Sequence, residues 1–133
     1  MNTKTFSELL QRFSEIEFAE KFDMIVAVAN GGIIPAAILN QRLNIEFNLL
    51  KINYRDAFQQ PKFDVPQLLE KINFDFKNRT ILLVEDRVKT GASLAKAVEL
   101  LAGAKLVKTF AVNGNADYFL YNENCFKFPW IIS

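Results

Sequence analysis

Histidine is absent from the 133 residues. With it go the Ser-His-Asp and Cys-His nucleophile systems and the commonest zinc ligand. Cysteine occurs once, as Cys125, which excludes an internal disulfide and a cysteine metal cluster. No long basic run exists, and 16 Lys and Arg against 15 Asp and Glu leave a formal charge of +1. A dedicated nucleic-acid binder would carry many more cations, so no nucleic-acid partner is expected. No apolar run reaches membrane-spanning length, and Met1-Asn2-Thr3-Lys4 leads into an amphipathic segment rather than a signal peptide. The chain is therefore expected to be soluble, cytoplasmic and without a membrane partner. Neither Gly-x-x-x-x-Gly-Lys nor Gly-x-Gly-x-x-Gly occurs, so P-loop and dinucleotide-binding readings fail at the first step.

What remains is half hydrophobic and long enough to bury one core, with no repeat, linker or low-complexity tract. Thr5 and Glu8 read as a capping box ahead of a helix whose apolar face is Phe6, Leu9, Leu10, Phe13 and Ile16. Met24–Ala29 reads as a buried strand, 34–43 as a helix ending at Asn44, and 46–53 as a strand. The polar stretch 54–66, with Pro61 and Pro66, is the one long loop, and Pro66 is expected to open a short helix through Lys71. Thr80–Glu85 reads as the central strand, 93–102 as a helix closed by Gly103, and 106–112 as a strand. Asn113-Gly114-Asn115 is a turn, with a further strand at 117–121. The thirteen phenylalanines are read as core first. Strands alternating with helices give an α/β domain with a mostly parallel sheet flanked by helices, and ligands at the carboxyl ends of the strands.

Two loops leave such ends. In the first, the apolar run Ile81-Leu82-Leu83-Val84 closes on Glu85-Asp86 and continues through Arg87-Val88-Lys89-Thr90-Gly91-Ala92-Ser93 into a helix. Each half suits one part of a sugar phosphate. The amides of 89–93 lie at a helix N-terminus, where orphan N–H groups and the helix dipole stabilise an anion, and Thr90 and Ser93 add hydroxyl donors. Glu85 and Asp86 can accept hydrogen bonds from vicinal ribose hydroxyls. In the second, Ala27-Val28-Ala29 runs into Asn30-Gly31-Gly32 and a helix that carries Pro35 in its first turn. Paired glycines permit close backbone approach to an anion.

The first segment resembles the phosphoribosyl-diphosphate (PRPP) motif of the type I phosphoribosyltransferases, and the second their diphosphate loop. The likeness is to the small bacterial xanthine-guanine and hypoxanthine members and runs from the N-terminal helix to Phe128-Pro129-Trp130. It implies that residues 1–133 form one domain of that fold with a minimal hood, binding PRPP with Mg²⁺ carried by the substrate rather than by a metal cage. It implies that Lys89, Thr90, Gly91, Ala92 and Ser93 hold the 5′-phosphate, and Glu85 and Asp86 the ribose hydroxyls. Asn30, Gly31 and Gly32 would meet the diphosphate. Tyr54 and Arg55, with Asn53 before them and Lys62 beyond, match the mobile flap. A homodimer is a further expectation from the resemblance.

Four positions depart from the small purine enzymes. Asn30 replaces a basic residue before Gly-Gly. Lys89 replaces the aspartate that handles the purine proton, and an ammonium cannot accept one. Val112 stands where a lysine meets the purine oxygen, and Cys125 where an aromatic stacks on the base, with Phe126 beside it in the stacking place if the alignment slips by one. Ribose-phosphate groups are kept while 6-oxopurine readers are replaced. Three explanations stay open: another nucleobase, a different acceptor, or a PRPP- or nucleotide-binding regulatory module that has lost turnover.

Overall fold

A computed structural model describes residues 2–53, 67–68 and 70–132. The elements in chain order are β1 (Asn2–Thr3), α1 (Phe6–Glu15), β2 (Met24–Ala29), α2 (Ile33–Leu43), β3 (Glu46–Asn53) and β4 (Gln67–Leu68). They continue with β5 (Thr80–Arg87), α3 (Ala92–Leu100), β6 (Leu106–Asn113), β7 (Tyr118–Tyr121) and β8 (Phe126–Lys127). The main sheet has the order β4-β3-β2-β5-β6-β7. Its five longer strands are parallel, and only β4 is antiparallel, pairing Leu68 with Ile52. This is the type I phosphoribosyltransferase architecture expected above. Parallel β1 and β8 join the two ends of the chain as a small separate sheet, the minimal hood.

Side-chain alternation along the central strands builds two cores. Ile25 and Ala27 of β2, Leu82 and Val84 of β5, and Phe110 and Val112 of β6 face α1 and α2, packing on Leu9, Phe13, Ala36 and Leu39. Met24, Val26 and Val28, with Ile81 and Leu83, face the other way onto Leu94, Ala97 and Leu101 around α3. Burial on both faces explains why these strands read as unbroken apolar runs.

Boundaries follow local chemistry. Thr5 Oγ1 accepts the Glu8 amide at 3.0 Å, the first half of the capping box. The second half does not form, because the Glu8 carboxylate instead accepts the Tyr121 hydroxyl and lies near Lys4. Burial, and then the nearby Glu8 carboxylate, push the Tyr121 phenol up to about 12. Asn44 closes α2 at φ 50°, a left-handed cap that asparagine tolerates.

Three expectations need correction. Of the α1 face only Leu9 and Phe13 are buried, while Phe6 and Leu10 are 41% and 45% exposed, because α1 covers the sheet along a narrow stripe. The helix expected through Lys71 is absent at its start, since Gln67–Leu68 pairs as β4 on the open edge of β3; Pro66 lies outside the described residues. The phenylalanines are divided: Phe13, Phe22, Phe110, Phe126 and Phe128 are buried, but Phe119 is 43% exposed. Leu9→Ala is expected to destabilise the fold by about 2–5 kcal/mol, and Leu10→Ala by under about 1 kcal/mol, in urea titrations. Equal losses would contradict the narrow stripe.

Candidate functional site

The sheet order dictates where a ligand site can form. From β2 the chain crosses through α2 to β3 on one side, and from β5 it crosses through α3 to β6 on the other. A crevice opens outside the carboxyl ends of β2 and β5 at this reversal. The Asn30–Gly32 loop leaves β2 there, and the Val88–Gly91 loop leaves β5.

The two loops touch. A Cβ built on Gly31 would lie 2.6 Å from Asp86 Oδ1 and 2.7 Å from its carboxyl carbon, so a side chain there would displace the Asp86 carboxylate. At Gly32 a Cβ would lie 2.2 Å from the Val84 carbonyl oxygen, which is backbone and cannot yield. The Gly32 amide donates to the Val28 carbonyl at 2.7 Å, and the Ala29–Asn30 peptide is cis. Asn30 is exposed at the tip.

Glu85 ends the buried part of β5 and is 9% exposed, while Asp86 is half-buried. Glu85 Oε1 accepts the Asp86 amide at 3.0 Å, and Asp86 Oδ1 accepts the Arg87 amide at 2.6 Å. Burial first, and then the neighbouring Asp86 carboxylate, raise the Glu85 pKa well above the ordinary range. Two adjacent acids that cannot comfortably ionise together favour hydroxyl donors and positive charge beside them. No cluster of three metal-ligating side chains exists among the described residues. Two carboxylates side by side could serve Mg²⁺, an ion that commonly takes one or two protein carboxylates and keeps its other ligands from water or phosphate.

Lys89 and Thr90 are exposed, and Gly91, Ala92 and Ser93 half-buried. Gly91 adopts φ 84° at the N-cap of α3, with nothing within 4 Å of a would-be Cβ, so the conformation rather than space calls for glycine. Thr90 Oγ1 accepts the Ala92 amide at 3.2 Å. The amides of Lys89, Thr90, Gly91 and Ser93 donate to no acceptor among the described residues. Such a nest of open donors can receive an anion.

Val112 and Phe126 are fully buried. Val112 follows Phe110 by two residues and so faces the core, and Phe126 packs edge-on against Tyr121 and Phe128. Cys125 is exposed between them and the surface. Tyr54 and Arg55, like Lys62, lie outside the described residues.

Three residues at the site escaped the sequence reading. Gly114, at φ 132°, lies under Val88, where a Cβ would come 2.4 Å from the Val88 carbonyl oxygen; the Val88 amide donates to Asn113 at 2.9 Å. The β6–β7 turn thus lies under the Val88–Gly91 loop. Asn113 is 3% exposed and its amide holds residues 123 and 124. Arg87 donates from Nη2 to the Phe126 carbonyl at 2.6 Å and stacks on the Phe128 ring at 4.7 Å. A charged residue after Glu85-Asp86, inside an otherwise apolar ladder, was the available signal for Arg87.

A family model for the phosphoribosyl transferase domain matches residues 4–125, and the chain belongs to that family. It is 29% identical over 119 residues to a xanthine-guanine phosphoribosyltransferase of Idiomarina loihiensis, covering 84% of this chain and 73% of that one. It is 28% identical over 110 residues to an orotate phosphoribosyltransferase of Sulfurisphaera tokodaii, covering 81% of this chain but only 50% of that protein. A purine phosphoribosyltransferase structure from Pyrococcus horikoshii superposes with a TM-score of 0.79 at 24% identity, covering 99% of this chain and 97% of that one.

The buried Glu85 gives a signed prediction. Its folded pKa is raised, so the native state holds its proton after the unfolded glutamate has ionised. The stability it contributes is therefore lost as pH climbs above the unfolded value of about 4.3. Glu85→Gln stays neutral, and is expected to melt higher than the wild type at neutral pH, with the gap closing below about pH 4. A wild type that melts higher at neutral pH would contradict the burial of an ionisable acid there.

Proposed function

We propose that the protein is a phosphoribosyltransferase that transfers the phosphoribosyl group of PRPP to a nucleobase acceptor, in nucleotide salvage, and releases diphosphate. The observation that supports this reading is the close approach of Gly31 to Asp86, which brings the glycine loop beside the acidic pair, with the open amides of Lys89, Thr90, Gly91 and Ser93 a few residues on. In this reading the amides of Lys89 to Ser93, with the hydroxyls of Thr90 and Ser93, bind the 5′-phosphate. Glu85 and Asp86 accept from the ribose hydroxyls and keep negative charge beside the sugar as its anomeric carbon becomes electron-poor. Asn30, Gly31 and Gly32 bring backbone close to the diphosphate, and Tyr54 and Arg55 cover it. Mg²⁺ bound to the diphosphate supplies charge neutralisation of the leaving group. A bond forms from an acceptor nitrogen to the anomeric carbon, the bond to diphosphate breaks, and the acceptor nitrogen loses its proton.

Among the described residues assigned to this site, only the acidic pair could take that last proton. Lys89 is an exposed cation with no partner among the described residues, and the chain has no histidine. Val112 and Phe126 turn their side chains into the core, which leaves Cys125 as the exposed member of the base-facing set. These replacements favour an acceptor other than a 6-oxopurine. They also favour, as the second reading, a regulatory module that binds PRPP or a nucleotide without turnover.

Mixing the protein with PRPP, Mg²⁺ and a panel of nucleobases, and following diphosphate release, separates the readings. Xanthine, guanine and hypoxanthine are expected to react poorly, because loss of a positioned proton acceptor removes a factor of about 10²–10⁴ in rate. Lys89→Asp restores that acid and is expected to raise 6-oxopurine turnover. Release with another acceptor supports the transferase, and PRPP binding without release from any acceptor supports the module. Brisk 6-oxopurine turnover by the unmodified protein would overturn this specificity.

A further inference from the structure

Arg87 and Asn113 form the last rung of the β5–β6 ladder. Both side chains leave the sheet and grip one short segment, residues 123–126. Asn113 Nδ2 donates to the carbonyls of Glu123 at 3.2 Å and Asn124 at 3.5 Å, while its Oδ1 accepts the Glu123 amide at 3.0 Å. Arg87 Nη2 donates to the Phe126 carbonyl at 2.6 Å, with its guanidinium over the Phe128 ring. Cys125, between the two grips, is exposed, as are Glu123 and Asn124. From outside, Lys4 Nζ meets Glu123 Oε1 at 2.9 Å and lies over the Tyr121 and Phe126 rings.

Tethering chain at this point does not by itself require so polar a device. The core already holds Phe126 and Phe128 at zero and 1% exposure. Arg87 Nε is moreover buried with no acceptor among the described residues. That is a poor arrangement for a purely structural anchor, since one hydrogen bond to the Phe126 carbonyl is gained at the cost of a buried donor left unpaired.

The location supplies a reason. Arg87 directly follows the acidic pair, and its amide donates to Asp86 Oδ1. Asn113 accepts the Val88 amide through its carbonyl, directly below the phosphate loop. One rung therefore touches the acidic pair and the phosphate-loop floor through its backbone, and the 123–126 segment through its side chains. A base joined to a ribose on Glu85 and Asp86 would project away from the phosphate loop, towards the wall that this segment makes.

We propose that Arg87 and Asn113 are positioning residues for the acceptor subsite, setting the 123–126 wall against which the base is held. This rests on the ribose-phosphate reading of the crevice given above. It places acceptor affinity under the control of two residues that touch neither ribose nor phosphate with their side chains.

The test compares the affinity of ribose 5-phosphate with those of the 5′-monophosphates of adenosine, guanosine, inosine, uridine and orotidine. The ratio of the two affinities reads the contribution of the base without turnover. Arg87→Met and Asn113→Ala are each expected to cut that ratio by about tenfold for the best nucleotide. Ribose 5-phosphate should bind as before within about threefold, which also shows that the variants are folded. Arg87→Lys, which still donates to the Phe126 carbonyl, is expected to recover part of the ratio. An unchanged ratio with ribose 5-phosphate binding intact would overturn the clamp alone, as would equal losses of both ligands. A wild type that binds no ribose 5-phosphate would instead overturn the ribose-phosphate reading, and the clamp with it.

Discussion

The missing side chain at Gly31 is the constraint on which the crevice depends. Any Cβ there would enter the Asp86 carboxyl group, so a side chain at 31 would push that carboxylate from the place it holds at the end of β5. Closure brings together two features that are each unremarkable alone: a glycine turn before a helix, and a pair of acids at a strand end. Gly32 repeats the constraint one residue on, against the Val84 carbonyl oxygen. The floor on the far side of β5 is set the same way, with Gly114 under Val88. Two of these contacts are with backbone and cannot yield to a methyl group, and together the three set the relative heights of the Asn30–Gly32 loop, the acidic pair and the Val88–Gly91 loop.

Around this frame the charges are arranged unevenly. Glu85 is buried beside Asp86 and holds its proton above the ordinary range, which is a poor arrangement for an empty protein and a good one for a site that receives hydroxyl donors and a cation. The neighbouring cations are divided between tasks. Arg87 is engaged with the Phe126 carbonyl and the Phe128 ring, while Lys89 is exposed at the mouth of the phosphate loop. The stacked Phe128 and Trp130 rings, at 5.0 Å and 9°, carry the C-terminal segment back onto Phe6 of α1. The small β1–β8 sheet then ties the hood to the same end of the chain.

The architecture was legible because burial on both faces writes itself as apolar runs, and because glycine, asparagine and the Thr5 cap mark ends by local geometry alone. The two loops that leave β2 and β5 were legible as strand-to-helix turns for the same reason. Their order along the chain is a local pattern, although the Gly31–Asp86 contact that unites them is not. What could not be read is long-range. Whether Leu10 is buried depends on the width of the stripe α1 presents, and β4 forms only because β3 offers an open edge. Phe126 in the stacking place was what the family resemblance implied if the alignment slipped by one from Cys125, whereas its ring packs in the core with Tyr121 and Phe128. Asn113 and Gly114 looked like a plain turn, because nothing local says that a turn lies under another loop.

In the proposed function the buried Glu85, whose proton is held above the ordinary range by burial and then by the Asp86 carboxylate, gives that proton up when a sugar phosphate with its cation arrives. Calorimetric titration with PRPP and Mg²⁺, in two buffers of different ionisation enthalpy, measures the protons released on binding. The account predicts saturable binding with more protons released by the wild type than by Glu85→Gln, the difference being the proton Glu85 held. Equal release from both proteins, or no binding of PRPP to the wild type, would contradict it.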